Sequence, residues 1–194
     1  MNDRSSIGAR PFSANDDATP DIRTEIRLQY SVIRRNSPIG VQVTVLHIGA
    51  EQTWMATGIG SDPAAMLGLA IGSRKTAAEH IRNHPPTSVD LENAIHVIED
   101  EIARAQAITK DNSTLFTMDA IVREITLVAG LPEQQELLLS RDAVERTFER
   151  LAALTLGQLP APESLPRSNA FAASVLILRE FMHHLQFLTI TVKT

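Results

Sequence analysis

Val41-Gln42-Val43-Thr44-Val45-Leu46-His47-Ile48-Gly49-Ala50-Glu51-Gln52-Thr53 is the stretch whose reading decides the fold. Its first eight residues are largely β-branched or apolar, the composition of a buried strand. Gly49 to Gln52 turns the chain, and Thr53 to Ile59 returns as a second strand, closed by Gly58, Gly60 and Asp62. Ala65 to Gly72 (AMLGLAIG) is a short apolar run whose length and position predict a third strand, although its composition alone would allow a helix.

On the N-terminal side, Ile22, Ile26, Tyr30 and Ile33 recur at helical spacing, with Arg23, Arg27 and Arg34 outside that stripe. This predicts a helix over 22–35, ended by Asn36-Ser37-Pro38. On the C-terminal side, Arg74–Asn83 reads as a short helix stopped at His84-Pro85-Pro86. Ser88 is expected to cap a helix with Leu91, Ile95, Ile98 and Ile102 on its apolar face, running to about Ala107. Thr114–Met118 reads as a strand and Ala120–Ala129 as a helix ended by Gly130. Ser140 caps Arg141–Leu154, with Val144, Phe148, Leu151 and Leu154 inward. Leu159–Ser168 is a proline-rich loop, Ala170–Leu185 a buried helix and Leu188–Lys193 a last strand. A meander followed by strand–helix alternation predicts an α/β fold, with a mixed five-stranded sheet, Val41–Ile48 central and helices on both faces. That is the order of ribonuclease-H-like and actin-like domains, which host many activities.

The 194 residues allow one domain with a proper core, here 21–194, behind a polar N-terminal tail at 1–20 expected to be disordered. Cysteine is absent, which excludes a disulfide framework, a thiolate metal site and a cysteine nucleophile. A net charge of −5 and a pI of about 5.7 give no general attraction for nucleic acid or anionic membrane. No apolar run approaches a membrane span, so a cytoplasmic protein is expected.

Chemistry-bearing residues are sparse. His80 and His84 stand four apart beside Glu79, but the HExxH order is absent and a solvated face is expected. His183 and His184 are adjacent and diverge by about 100° on a helix, so they cannot share an ion. His96 reads as a packing or surface residue. Asp90, Glu92, Glu99, Asp100 and Glu101 form an acidic helix with no sign of convergence in a cleft. No metal site is expected from these groups. There is no Walker loop or nucleophile elbow, and His47–Thr53 reads by residue type as an ordinary hairpin.

From Asp21 onward, however, the chain resembles the second actin-like domain of exopolyphosphatase/guanosine-pentaphosphate phosphohydrolase (Ppx/GppA) proteins. Thr24-Glu25-Ile26-Arg27-Leu28 is similar to the family's E-E-A-R-L helix. Val45–Thr53 falls where the family has V-I-D-I-G-G-G-S-T, with His47 22 residues after Glu25, the family's usual interval. Ala70–Thr76 resembles P-L-G-x-V-R-L-T, and His84-Pro85-Pro86-Thr87 resembles D-P-P-T. Asp119–Ile125 occupies the G-G-T-x-R-x-L position, and Arg167–Leu178 resembles R-A-D-V-I-L-A-G-A-L-I-L.

The resemblance implies a phosphate-binding loop at His47, Gly49, Ala50, Glu51, Gln52 and Thr53, a second loop at Asp119, Ala120 and Ile121, and Glu25 as the general base for an attacking water. The departures fall on those same positions. His47 replaces an aspartate, Ala50 and Glu51 replace glycines, Asp119-Ala120-Ile121 contains no glycine, Asn169 replaces an aspartate and Ser174 a glycine. Glu51 places negative charge where a polyanion would sit, and Ala50 and Ile121 hold the backbone away from phosphate. Too few residues precede His47 for the family's first domain.

The expectation is therefore a degenerate binding or regulatory module, without a cofactor, rather than an enzyme. The alternative is a phosphoanhydride hydrolase completed by a second chain, and only that alternative calls for Mg²⁺. A homodimer is expected, using the apolar surface of the Ile22–Ile33 helix that the missing domain would leave uncovered, and an unknown protein partner is a further expectation.

Overall fold

The computed structural model describes residues 21–110, 112–155 and 165–194, with side-chain detail for all of these but Thr155. The expected tail at 1–20 and much of the expected Leu159–Ser168 loop lie outside the described residues. Helices α1 (Ile22–Arg35), α2 (Ser73–His80), α3 (Ser88–Ala103), α4 (Ala120–Val128), α5 (Arg141–Thr155) and α6 (Asn169–His184) accompany strands β1 (Val43–Ile48), β2 (Thr53–Gly58), β3 (Ala65–Leu69), β4 (Thr114–Thr117), β5 (Glu136–Ser140) and β6 (Thr189–Lys193).

The strands form one mixed sheet in the order β3-β2-β1-β4-β6-β5. β1, β2 and β3 are the antiparallel meander, while β4 runs parallel to β1 and β6 parallel to β4. The sheet has six strands, not five. β5 (ELLLS) closes the far edge antiparallel to β6, with Leu137 and Leu139 inward and Leu138 exposed. Three consecutive leucines hide a period-two pattern, and leucine favours helices.

Side chains alternate across β1 and so build two cores. Val43 and Val45 meet Ile26, Tyr30 and Ile33 of α1, together with Trp54, Ala56 and Phe116. Leu46 and Ile48 point to the other face, into the main core built around α6 with contributions from α2, α3, α4 and α5. α6 packs against α2, α3 and α5 as well as against the sheet, and is apolar nearly all round, as a central helix must be.

Local chemistry accounts for the helix ends. The cap of α3 is Thr87, with Ser88 the first helical residue. Thr87 Oγ1 accepts from the Asp90 amide at 3.2 Å, and Asp90 Oδ2 accepts from the Thr87 amide at 2.8 Å. The expected end at Ala107 is a 3-10 turn, Arg104–Ala107. Ser140 Oγ accepts from the Ala143 amide, as expected. Arg34, expected outside the apolar stripe, is buried. Its guanidinium donates to the carbonyls of Val41 at 2.6 Å, Ser37 at 2.9 Å and Pro38, and so pins the loop between α1 and β1.

Candidate functional site

β1 and β4 lie side by side and parallel, so their C-terminal ends open at the same edge, where open α/β sheets form crevices. β1 delivers His47 and the turn Gly49–Gln52, and β4 delivers Asp119 at the start of α4. His47 belongs to the α1 face, opposite Trp54 in the β1–β2 register. Its Nδ1 lies 2.6 Å from Asp119 Oδ1, and Asp119 Oδ2 accepts from the Ile48 amide at 2.6 Å. Asp119 makes no side-chain cap to α4, but its carboxylate stands at the positive end of that helix.

Burial pulls the His47 imidazolium down. The hydrogen bond and charge of Asp119, joined by the charge of Glu25, more than reverse this and leave it raised above the usual histidine value. Glu25 of α1 is thus near enough for its charge to be felt at His47. Gln29 Nε2 donates to Glu25 Oε1 at 3.4 Å, and Trp54 Nε1 to Gln52 Oε1 at 3.2 Å.

The turn itself is closed. The Gly49 amide donates to the Gln52 carbonyl at 3.0 Å, and a Cβ on Gly49 would sit 2.7 Å from that same oxygen, so only glycine fits. The carbonyls of Gly49 and Ala50 turn outward to α2. Gly49 accepts from the Ser73 amide at 2.9 Å, and Ala50 accepts from the amides of Arg74 at 2.9 Å and Lys75 at 3.0 Å. A helix N-terminus is a ready anion site only while its amides are free. In α2 these three are taken by the chain itself.

Glu51 is exposed and pairs with Arg74 at 2.9 Å, so its charge points to solvent beside α2. Thr53 is fully buried, its hydroxyl oxygen without a hydrogen-bond partner. Ala120 is exposed and Ile121 half-buried at the first turn of α4.

The other sequence-singled residues go elsewhere. His84 Nδ1 meets Asn169 Oδ1 at 3.2 Å, and Asn169 Nδ2 donates to the carbonyls of Ile81 and Asn83 at 2.8 and 3.0 Å. His80 instead contacts Glu79 at 3.6 Å. The His47–Asp119 pair escaped sequence reading although both residues were singled out. Its only signal is that His47 closes one strand-like run and Asp119 follows another.

No family model matches the sequence, and no curated protein does. The structure is similar to solved ones. The Ppx/GppA enzyme of Aquifex aeolicus superposes with a TM-score of 0.69 at 15% identity, over 84% of this chain and 57% of that one. A second structure, the type II variant of the Aquifex aeolicus Ppx/GppA phosphatase, gives 0.69 at 13% identity over 90% and 59%. An exopolyphosphatase from Cytophaga hutchinsonii gives 0.68 at 14% identity over 88% and 58%. The chain thus has the fold seen in part of those proteins and spans 57–59% of their length. Among the described residues, no helix is long and apolar enough to cross a membrane.

Proposed function

We propose that this chain is a Ppx/GppA-related domain that serves as a binding or regulatory module and does not hydrolyse phosphoanhydrides. The ordered sequence resemblance and the common fold support the relationship. The observation that carries the loss of activity is the Asp119 carboxylate, an internal anion that takes both the His47 ring and the Ile48 amide at the mouth of the loop. A phosphate arriving there meets a resident negative charge, amides already engaged and the α2 N-terminus saturated by the Gly49 and Ala50 carbonyls.

Mg²⁺ demands near-ideal octahedral oxygen ligation. The position that would present an oxygen presents the imidazole of His47, and the neighbouring carboxylate is committed to that ring and to the Ile48 amide. The residues present do not fit the ion, and no catalytic step is routed through it. A homodimer and a cytoplasmic location belong to the same proposal.

One observation favours the second reading, a hydrolase completed by another chain. Glu25 lies close enough for its charge to act on His47. The test is phosphate release from polyphosphate and from guanosine pentaphosphate with Mg²⁺. No release above background is expected, and Glu25→Gln should change nothing. General-base help is worth about 10²–10⁴ in rate. Release that vanishes in Glu25→Gln would establish the second reading.

A further inference from the structure

At the other end of the sheet from His47, α3 and α6 bring Glu99, Glu180 and His184 together. One ligand atom from each lies within 4.8 Å of the other two, the one such group among the described residues. His184 Nε2 is 3.3 Å from Glu99 Oε1 and 3.4 Å from Glu180 Oε2. The Glu99 contact is a long hydrogen bond and the Glu180 contact longer still, since N–H···O bonds cluster near 2.9–3.0 Å. The two His184 separations match a tetrahedral ion, in which metal–nitrogen and metal–oxygen bonds of about 2.0–2.2 Å put neighbouring donors about 3.3–3.5 Å apart, and the Glu99 and Glu180 oxygens lie within 4.8 Å of each other.

The surroundings are those of a ligand set. The Glu180 side chain is only 2% exposed. Its second oxygen, Oε1, accepts from Arg179, and Arg179 is itself fixed by Glu145 at 2.7 and 3.0 Å. Such an outer donor orients a ligating carboxylate and leaves its other oxygen aimed inward.

Charge points the same way. Arg179 pairs with Glu145 and Glu180, while the ion-pair partners of Glu99 among the described residues are His184 and His96. The three carboxylates outnumber the one guanidinium, and a divalent ion offsets that excess.

Spacing supplies the rest. Glu180 and His184 stand four apart on one face of α6. His96, one turn before Glu99 on α3, is exposed, with its Nδ1 3.9 Å from Glu99 Oε2. The side chains of His184 and Glu99 are 30% and 38% exposed, so an ion can reach them from solvent.

We propose that Glu99, Glu180 and His184 bind a first-row transition-metal dication of the zinc type, and that the ion joins α3 to α6. Imidazole with carboxylate suits zinc better than magnesium or calcium. The test uses the full chain, free of any affinity tag, stripped by chelator and then titrated with zinc. Calorimetry should show one zinc per chain at micromolar or tighter affinity, retained through gel filtration, with the melting temperature raised by several degrees. Cobalt in place of zinc should give the intense visible bands of tetrahedral coordination.

His184→Ala and the more exposed Glu99→Gln should each weaken zinc binding at least about tenfold, and His47→Ala should not. Circular dichroism checks that the variants fold. If a variant unfolds, the cobalt spectrum of the unaltered chain decides. No zinc retained at micromolar concentration, binding equal in His184→Ala and Glu99→Gln, or a cobalt spectrum without tetrahedral bands would overturn the proposal.

Discussion

His47 Nδ1 and Asp119 Oδ1 lie 2.6 Å apart across the ends of two parallel strands, although 72 positions separate them in the chain. The contact makes His47 the group whose titration reports on the loop. In an NMR titration the His47 ring should hold its proton above the usual histidine value, and Asp119→Asn should lower its midpoint. The sign follows from the raised native value. The stabilisation is fully present below about pH 6.5, where the unfolded imidazole is also charged, and is lost as pH rises through the native value. The stability gap between the natural chain and Asp119→Asn, from urea unfolding, should be wider at about pH 5.5 than at about pH 9. An unshifted His47 midpoint in Asp119→Asn would refute the pairing.

Gly72 is where α2 meets the turn. A Cβ there would sit 2.4 Å from the Glu51 carbonyl carbon and 2.5 Å from the Ala50 oxygen. Both are backbone atoms, and the Ala50 oxygen is held by the Arg74 and Lys75 amides, so neither can give cheaply. Its extended φ of −147° suits any residue, and the constraint is the close approach alone. Gly72→Ala should destabilise by about 1–3 kcal/mol or more. Gly130, at φ +93° with open space around it, meets only the strain of a Cβ at positive φ, about 1–2 kcal/mol on the same change. Denaturant unfolding of the two variants checks the order.

Asp90 closes the capping box of α3. The Thr87 amide, chiefly, and then the Asn83 and Thr87 side chains and the Arg82 amide, hold its carboxyl far below the usual range against the cost of desolvation. Asp90→Ala should cost about 0.5–2 kcal/mol at neutral pH. A depressed carboxylate stabilises above its unfolded value and loses that contribution as pH falls toward its native one. The gap to Asp90→Ala should therefore shrink progressively below about pH 4. Unfolding curves at neutral and acid pH would show it, and a gap that widened in acid would be incompatible with this cap.

The apolar stripe of α1, expected to lie uncovered, is buried against β1 and β2, so self-association through this helix would use its outer face, where Leu28 is 61% and Val32 37% exposed. Light scattering should give a dimer, and Leu28→Glu should shift it to monomer. A monomer at high micromolar concentration in the unaltered chain would remove the homodimer from the proposal.

The sequence by itself determined what depends on neighbours along the chain. The α1 boundaries, Ile22 and Arg35, the β1–β2–β3 meander and the Ser140 cap follow from periodicity, β-branching and turn chemistry, which act over a few residues. Gly130 ending α4 belongs with them.

Tertiary structure alone decided the rest. β5 forms because β6 offers it an edge, not because ELLLS favours a strand. Arg34 is drawn inside because three loop carbonyls converge on it. His47 finds Asp119, and Glu180 and His184 find Glu99, only once the order β1–β4–β6 and the packing of α3 on α6 exist. Local pattern says that an element forms and which side of it is apolar. Which two elements become neighbours is settled by the joint burial of many faces, and the paired side chains of both sites belong to that level.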